Sequence, residues 1–279
     1  MIKITDIIIK KFKEYLINEE KSKATVEKYI RDLTAFTAWL GGTELSKARV
    51  LEYKEYIITK YAPASVNSIL SSLNSFFDSV EEYGLKVKNL KIQKQIFAKN
   101  GKELTKAEYE RLLSEAKSTG NKKLYLLMQT ICATGIRVSE LKYITAESLK
   151  DGRADVNMKG KLRVIIIPKA LCKMLKKYAA EQKISYGSIF VTKTGKPLDR
   201  THIWKLMKSL CESAGVDKRK VFPHNLRHLF ARTFYSIEKD IVRLADILGH
   251  SSVNTTRIYT METWEICRRQ VQRLGLLHC

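Results

Sequence analysis

The chain has 279 residues, with 51 lysines and arginines against 29 aspartates and glutamates and a formal net charge of +22. With 44% hydrophobic and 29% charged residues it reads as globular and cytoplasmic. No stretch approaches the ~20 apolar residues of a membrane span, and the five unpatterned cysteines exclude a disulfide framework. So large a positive excess, without a lipid motif, points to nucleic acid as the partner.

Residues 4–20, 22–41, 45–61 and 62–84 each carry apolar positions near i, i+3, i+4 and i+7, and predict four helices. Ser22 or Thr25 can cap the second, Gly41-Gly42 ends it, Ala62-Pro63 with Ser65 opens the fourth, and Gly84 closes the set. Short connections and one apolar face per helix predict a compact bundle over 1–85. Residues 86–102 then read as a basic interdomain linker: Lys86, Lys88, Lys91, Lys94 and Lys99 occur without an acid before position 100.

A second domain is expected over 103–279. Residues 104–118 predict a capped helix, and 122–141 an apolar helix running into a turn at Gly135. Residues 152–168 predict two short strands around Met158-Lys159-Gly160-Lys161, 170–182 another helix, and 188–199 a strand and turn; everything beyond reads as helical. The expected fold class is therefore mostly α, a helical bundle followed by a mainly helical α+β domain with a small antiparallel sheet.

The stretch VFPHNLRHLFA, 221–231, places His224 and His228 four apart on one helix face, the spacing of a zinc-protease helix. Asn225 stands where that site needs a glutamate, Arg227 would repel a dication, and no third ligand cluster follows, so no metal is assigned. His228, followed by Leu229 and Phe230, fits a structural role. His224 and Arg227, three apart just after Pro223 at a helix start, suit an anion such as phosphate. Arg137, following Gly135 in ATGIRVSEL, is a second guanidinium in an apolar setting; it can pair with Glu140 and still reach a phosphodiester. Lys159 at the hairpin tip is either a solvated charge or a general acid. In LGHSSVNTTRIYT, 248–260, Gly249 permits a close turn before His250, Ser251 or Ser252 can cap a short helix, and Tyr259 is either packing or a nucleophile toward phosphorus.

In this order and spacing, Arg137, Lys159, His224-x-x-Arg227, His250 and Tyr259 resemble the tyrosine recombinase (phage integrase) family, in its simple two-domain, Xer-like form. The resemblance spans essentially the whole chain. It implies that the first bundle is a four-helix core-binding, SAM-like DNA-clamping domain and the second a catalytic one. Tyr259 would form a 3′-phosphotyrosyl bond and release a 5′-hydroxyl. Arg137 and Arg227 would neutralise the phosphorane, Lys159 would protonate the leaving oxygen, His224 would take the tyrosine proton or hold the phosphate, and His250 would support the transition state. Lys161 is the alternative bearer of the lysine role. No metal or nucleotide cofactor is implied. Nothing ahead of the first helix suggests a further domain for distant arm sites.

Double-stranded DNA is the expected partner. Candidate contacts are Lys21, Lys23, Arg31, Asn67, Ser68, Ser71 and Asn74 in the bundle, Lys94 in the linker, and Lys193, Lys196, Arg200 and Thr201 after the last predicted strand; most would touch phosphate. The 20 residues after Tyr259 hold Trp264, Ile266, Val271, Leu274, Leu276 and Leu277, either packed on the parent domain or docked into a neighbour, as the family suggests for a homotetramer on two duplexes. A partner recombinase or accessory factor is compatible with this reading. The rival readings are a type IB topoisomerase-like enzyme and a non-catalytic DNA-binding regulator.

Overall fold

The computed structural model describes residues 4–92, 103–158, 161–192, 194–261 and 264–274. The chain separates into two compact units, Met1–Lys94 and Gln95–Cys279.

In the first unit α1 (Asp6–Asn18), α2 (Lys23–Leu40), α3 (Lys47–Lys60) and α4 (Pro63–Ser79) form the expected bundle. The Ser22 hydroxyl accepts from the Thr25 amide, Gly41 ends α2 in the left-handed region at φ 59°, and Pro63 starts α4. Phe12, Leu16, Leu33, Phe36, Leu70, Leu73 and Phe76 are essentially fully buried, each contributing about 1.5–3 kcal/mol. One ionic group enters this core: Lys28 bonds Asp32 at 2.6 Å, and the Ser72 hydroxyl donates to the same carboxylate at 2.8 Å. Helix α4 stops at Ser79, short of Gly84, which lies in a separate turn of 3-10 helix (Tyr83–Leu85).

The stretch expected to be linker from residue 86 begins instead as part of the bundle. The Asn74 side chain donates to the Val87 carbonyl (2.9 Å) and accepts from its amide (3.0 Å), and Asn67 does the same for Leu90 (2.9 and 2.7 Å). From α3, Lys47 and Lys54 donate to the carbonyls of Lys86 and Lys88. Val87 is buried in the bundle core, and Leu85 and Leu90 pack against it.

The second unit opens with α5 (Lys106–Ser118), whose capping box joins Thr105 and Glu108, and α6 (Lys122–Thr134), which is buried nearly all round. Gly135 ends α6, and a 3-10 segment (Val138–Tyr143) and the short α7 (Ser148–Asp151) follow. Strands β1 (Arg153–Met158) and β2 (Lys161–Ile166) form a two-stranded antiparallel sheet in the register Met158↔Lys161 through Arg153↔Ile166. Then come α8 (Lys169–Glu181), α9 (Arg200–Lys208), α10 (Pro223–Glu238), α11 (Ile241–Leu248), α12 (Val253–Thr256) and α13 (Trp264–Gln272). The mostly helical class with a small antiparallel sheet is as expected.

The strand expected within 188–199 does not form among the described residues. Thr145↔Ser188 and Val191↔Pro197 are isolated bridges, and Pro197 has no N–H with which to extend a ladder.

Candidate active site

Five side chains from four parts of the chain converge on one cleft of about 880 Å³: Arg137, His224, Arg227, His250 and Tyr259. Arg137 follows the end of α6, His224 and Arg227 lie in the first turns of α10, His250 follows α11, and Tyr259 ends the 3-10 turn Arg257–Tyr259 after α12. Lys142, Arg200 and Trp204 also line the cleft.

Arg227 is only 1% exposed. Its Nη1 donates to the Gly135 carbonyl (2.6 Å), and its Nη2 donates to the Leu248 carbonyl (2.8 Å) and to His250 Nε2 (2.9 Å). Burial first, then the charges of Arg137 and Arg163, lower its pKa to about 10, so the guanidinium is still protonated at neutral pH. A guanidinium has no lone pair to offer, so His250 Nε2 must be the acceptor. His250 Nδ1 then carries the proton and donates to Thr256 Oγ1 at 2.8 Å. Burial, followed by Arg227, Arg137 and Arg163, pushes His250 down to about 4, consistent with this neutral tautomer.

Arg137 has a side chain 41% exposed and pairs with the 3%-exposed Glu140, as the sequence suggested. Its Nη1 donates to Glu140 Oε1 (2.9 Å), its backbone amide to Oε2 (2.8 Å), and its Nη2 to the Gly249 carbonyl (3.2 Å). Among the described residues nothing takes the remaining N–H groups of Arg137. Two guanidiniums are therefore fixed at one cleft with donors to spare, the arrangement that suits non-bridging phosphate oxygens.

Tyr259 is 3% exposed and packs with Ala231, Leu244 and Leu248 in a small core of its own, flanked by Phe230, Phe234 and Tyr235. The His228 ring stands edge-on to it (centroids 4.7 Å, 75°), and the His250 ring lies parallel to it (6.2 Å, 15°). His228 also contacts the His224 ring at 4.6 Å, and its buried Nδ1 has no hydrogen-bond partner among the described residues. Burial, then His224 and Arg227, lower His228 to about 4. These contacts make His228 a packing surface for the tyrosine. His224 is likewise shifted down, first by burial and then by Arg227, Arg137 and Arg200, which keeps its imidazole free to accept a proton. No group of three or more His, Cys, Asp or Glu side chains that could hold a metal occurs among the described residues.

Residues 102–265 match the model of the phage integrase family, and residues 8–86 match its N-terminal SAM-like domain. The chain belongs to the phage integrase family. It is 29% identical over 280 residues to the tyrosine recombinase XerA of Pyrococcus furiosus, covering 97% of this chain and 94% of that one. It is also 29% identical over 281 residues to the tyrosine recombinase XerD of Listeria monocytogenes, covering 92% and 94%. Among solved structures it is similar to XerA recombinase, with 26% identity, 99% of this chain and 100% of that one covered, and a TM-score of 0.53. A lambda integrase dimer bound to a COC′ core site, 19% identical, shares the fold with a TM-score of 0.72 over 91% of this chain and 94% of that one. A lambda integrase tetramer bound to a Holliday junction, also 19% identical, gives 0.72 over 91% and 76%.

Within this integrase-family chain, Lys159, Lys94 and Lys193 lie outside the described residues, and Lys161 is the first residue of β2. Lys21, Lys23, Arg31, Ser68, Lys196, Arg200 and Thr201 are exposed, and Arg200 sits at the cleft. Asn67 and Asn74 are committed to Leu90 and Val87, and the Ser71 hydroxyl donates to the Asn67 carbonyl, so these three serve the bundle's own structure. Besides the cleft residues Lys142 and Trp204, the supporting groups Arg163 and Thr256 went unnoticed in the sequence. Arg163 Nη1 donates to Glu140 Oε2 (2.6 Å), and its Nε and Nη2 donate to the Ile247 carbonyl (3.1 and 2.5 Å). A charged residue inside the run LRVIII was the available signal. Thr256, fully buried, gave none.

Proposed function

We propose that this chain is a site-specific DNA recombinase that breaks and rejoins strands through Tyr259. The observation that carries the reading is the convergence of Arg137, Arg227, His224, His250 and Tyr259 on one cleft from sequence positions up to 122 residues apart. Tyr259 Oη attacks phosphorus, the bond from phosphorus to the 5′ oxygen breaks, and a 3′-phosphotyrosyl link forms. His224, unprotonated, receives the tyrosine proton. Arg137 and Arg227 neutralise the charge that grows on the non-bridging oxygens, with donors already oriented by Glu140, Gly135 and Leu248. His250 acts through Arg227, whose Nη2 it receives. Lys159, or Lys161 two residues on, protonates the departing 5′ oxygen. The phosphotyrosyl bond conserves the energy of the cleaved one, so a 5′-hydroxyl from another strand reseals it without a nucleotide, and the guanidiniums supply the positive charge without a metal.

In this reading the bundle through Leu90 grasps the DNA, the chain from there to residue 102 joins the units and 103–279 carry the chemistry, in the cytoplasm. Trp264 and Val271 of α13 and Leu274 just beyond it are between 57% and 66% exposed, which supports exchange of this tail between protomers of a tetramer on two duplexes.

The test is a nicked suicide substrate bearing the target site, incubated in EDTA with wild type and with Tyr259→Phe, then resolved on a denaturing gel. A covalent protein–DNA band from wild type alone is expected. Plasmid relaxation without recombinants would favour the topoisomerase-like alternative, and DNA that binds without any adduct would favour the regulator.

A further inference from the structure

Three consecutive carbonyls at the end of α11 are held by three arginines from three separate elements. Ile247 accepts from Arg163, Leu248 from Arg227 and Gly249 from Arg137. Arg227 and Arg137 line the cleft that contains Tyr259, whereas Arg163 does not. It approaches the turn from β2, with a side chain only 8% exposed.

We propose that Arg163 is a positioning residue for strand cleavage, fixing the α11 turn and the Glu140 carboxylate, and through them His250 and Arg137, without itself touching DNA. The inference rests on the recombinase reading above and adds a residue to the same site.

The geometry supports this in three ways. First, Arg163 uses its whole fork: Nε and Nη2 converge on one carbonyl while Nη1 takes Glu140 Oε2. Glu140 in turn holds Arg137 by both side chain and backbone. One guanidinium thus joins the two supports that orient the exposed one.

Second, the chain lies directly on the arginine stem. A Cβ at Gly249 would stand 2.5 Å from Arg163 Cδ and 3.0 Å from Nε, and the backbone there has φ +62°. Glycine is needed for the left-handed turn and for the close approach alike. His250 follows at once, and its amide donates to the Ala245 carbonyl at 3.0 Å.

Third, Arg163 shares the inward face of its strand with the buried Ile165, while Leu162, Val164 and Ile166 face out at 82%, 52% and 67% exposure. A sheet that needed only packing would turn its leucine, valine and isoleucine inward. A buried charge is tolerated there because a carboxylate and the carbonyl end of a helix surround it. Lysine cannot replace it, since a single ammonium on a flexible stem has no planar fork to span a carboxylate and a carbonyl.

The test compares wild type, Arg163→Lys and Arg163→Met by three measurements: single-turnover adduct formation at saturating protein, DNA affinity, and amide hydrogen exchange at Gly249 and His250 in the free protein. For Arg163→Lys the expected result is adduct formation slowed about 10- to 100-fold, affinity within about twofold of wild type, and exchange at both amides raised about tenfold. The methionine variant should be slower still, and if it fails to fold the lysine variant decides alone. Cleavage by Arg163→Lys within about twofold of wild type, unchanged exchange, or a cleavage loss explained by weaker DNA binding would each overturn the proposal. Absence of an adduct from wild type on DNA it binds would instead remove the recombinase reading, and the exchange data would still decide whether Arg163 holds the turn.

Discussion

Arg227 and His250 are joined by a 2.9 Å contact in which the arginine is the donor, and this fixes the histidine as neutral with its proton on the Thr256 side. Protonating His250 at Nε2 would set two cations face to face. The same holds, less directly, for His228, which is buried beside His224 and Arg227.

The sign of the resulting pH dependence follows. His228 and His250 titrate near 4 in the fold against an ordinary 6.5, so the unfolded chain binds more protons between those values. Stability is full above about pH 6.5 and falls on acidification toward about pH 4, by on the order of 2 kcal/mol per histidine after solvent screening. Urea midpoints measured from pH 7 to pH 4 should show the loss, and His228→Phe should flatten it. A slope identical in wild type and variant would contradict the assignment.

Burial alone would raise the Glu140 carboxyl, but the bond from the Arg137 backbone amide and the two guanidiniums of Arg163 and Arg137 hold it below the ordinary range. Glu140→Gln removes the charge and leaves Arg137 and Arg163 facing each other. We expect a stability loss of about 3 kcal/mol by chemical denaturation, and cleavage reduced more than DNA binding. A variant as stable as wild type would mean that the carboxylate is dispensable.

The lysine assignment can be settled by leaving-group chemistry. A general acid contributes about 10²- to 10⁴-fold when an alkoxide departs and little when the leaving atom is sulfur. Lys159→Ala should cleave an ordinary substrate slowly and regain its rate on one with a bridging 5′ sulfur. If Lys161→Ala shows that pattern and Lys159→Ala does not, the role passes to Lys161.

In the bundle, Asn67 and Asn74 stand seven residues apart on α4, a rise of about 10.5 Å. Three residues of extended chain, the separation of Val87 and Leu90, span at most about 10 Å. The match lets two amides grip the same segment at both ends. Asn67→Ala and Asn74→Ala should each lower stability by about 1–2 kcal/mol and speed hydrogen exchange at the Leu90 and Val87 amides, respectively. Unchanged exchange at either amide would show that the lysines of α3 and the buried Val87 suffice.

The local features of the fold were legible because they depend on near neighbours. Helical periods, the Ser22 cap, the Gly135 and Gly249 turns and the pairing of β1 with β2 all follow from side chains a few residues apart. The order of Arg137, His224, Arg227, His250 and Tyr259 along the chain was enough to propose a phosphate site. Which face of β2 turns inward was not legible, since LRVIII is apolar on both sides of its alternation and only long-range partners choose between them. The end of the bundle at Leu90 rather than residue 85 likewise depended on asparagines up to 23 residues away. Arg163, a charge that any pattern would place in solvent, became interior because Glu140 lies 23 residues before it and Ile247 lies 84 after it. Sequence determined which groups could form a phosphate site; packing of β2, the α6 turn and α11 against one another decided which side chains hold the others in place.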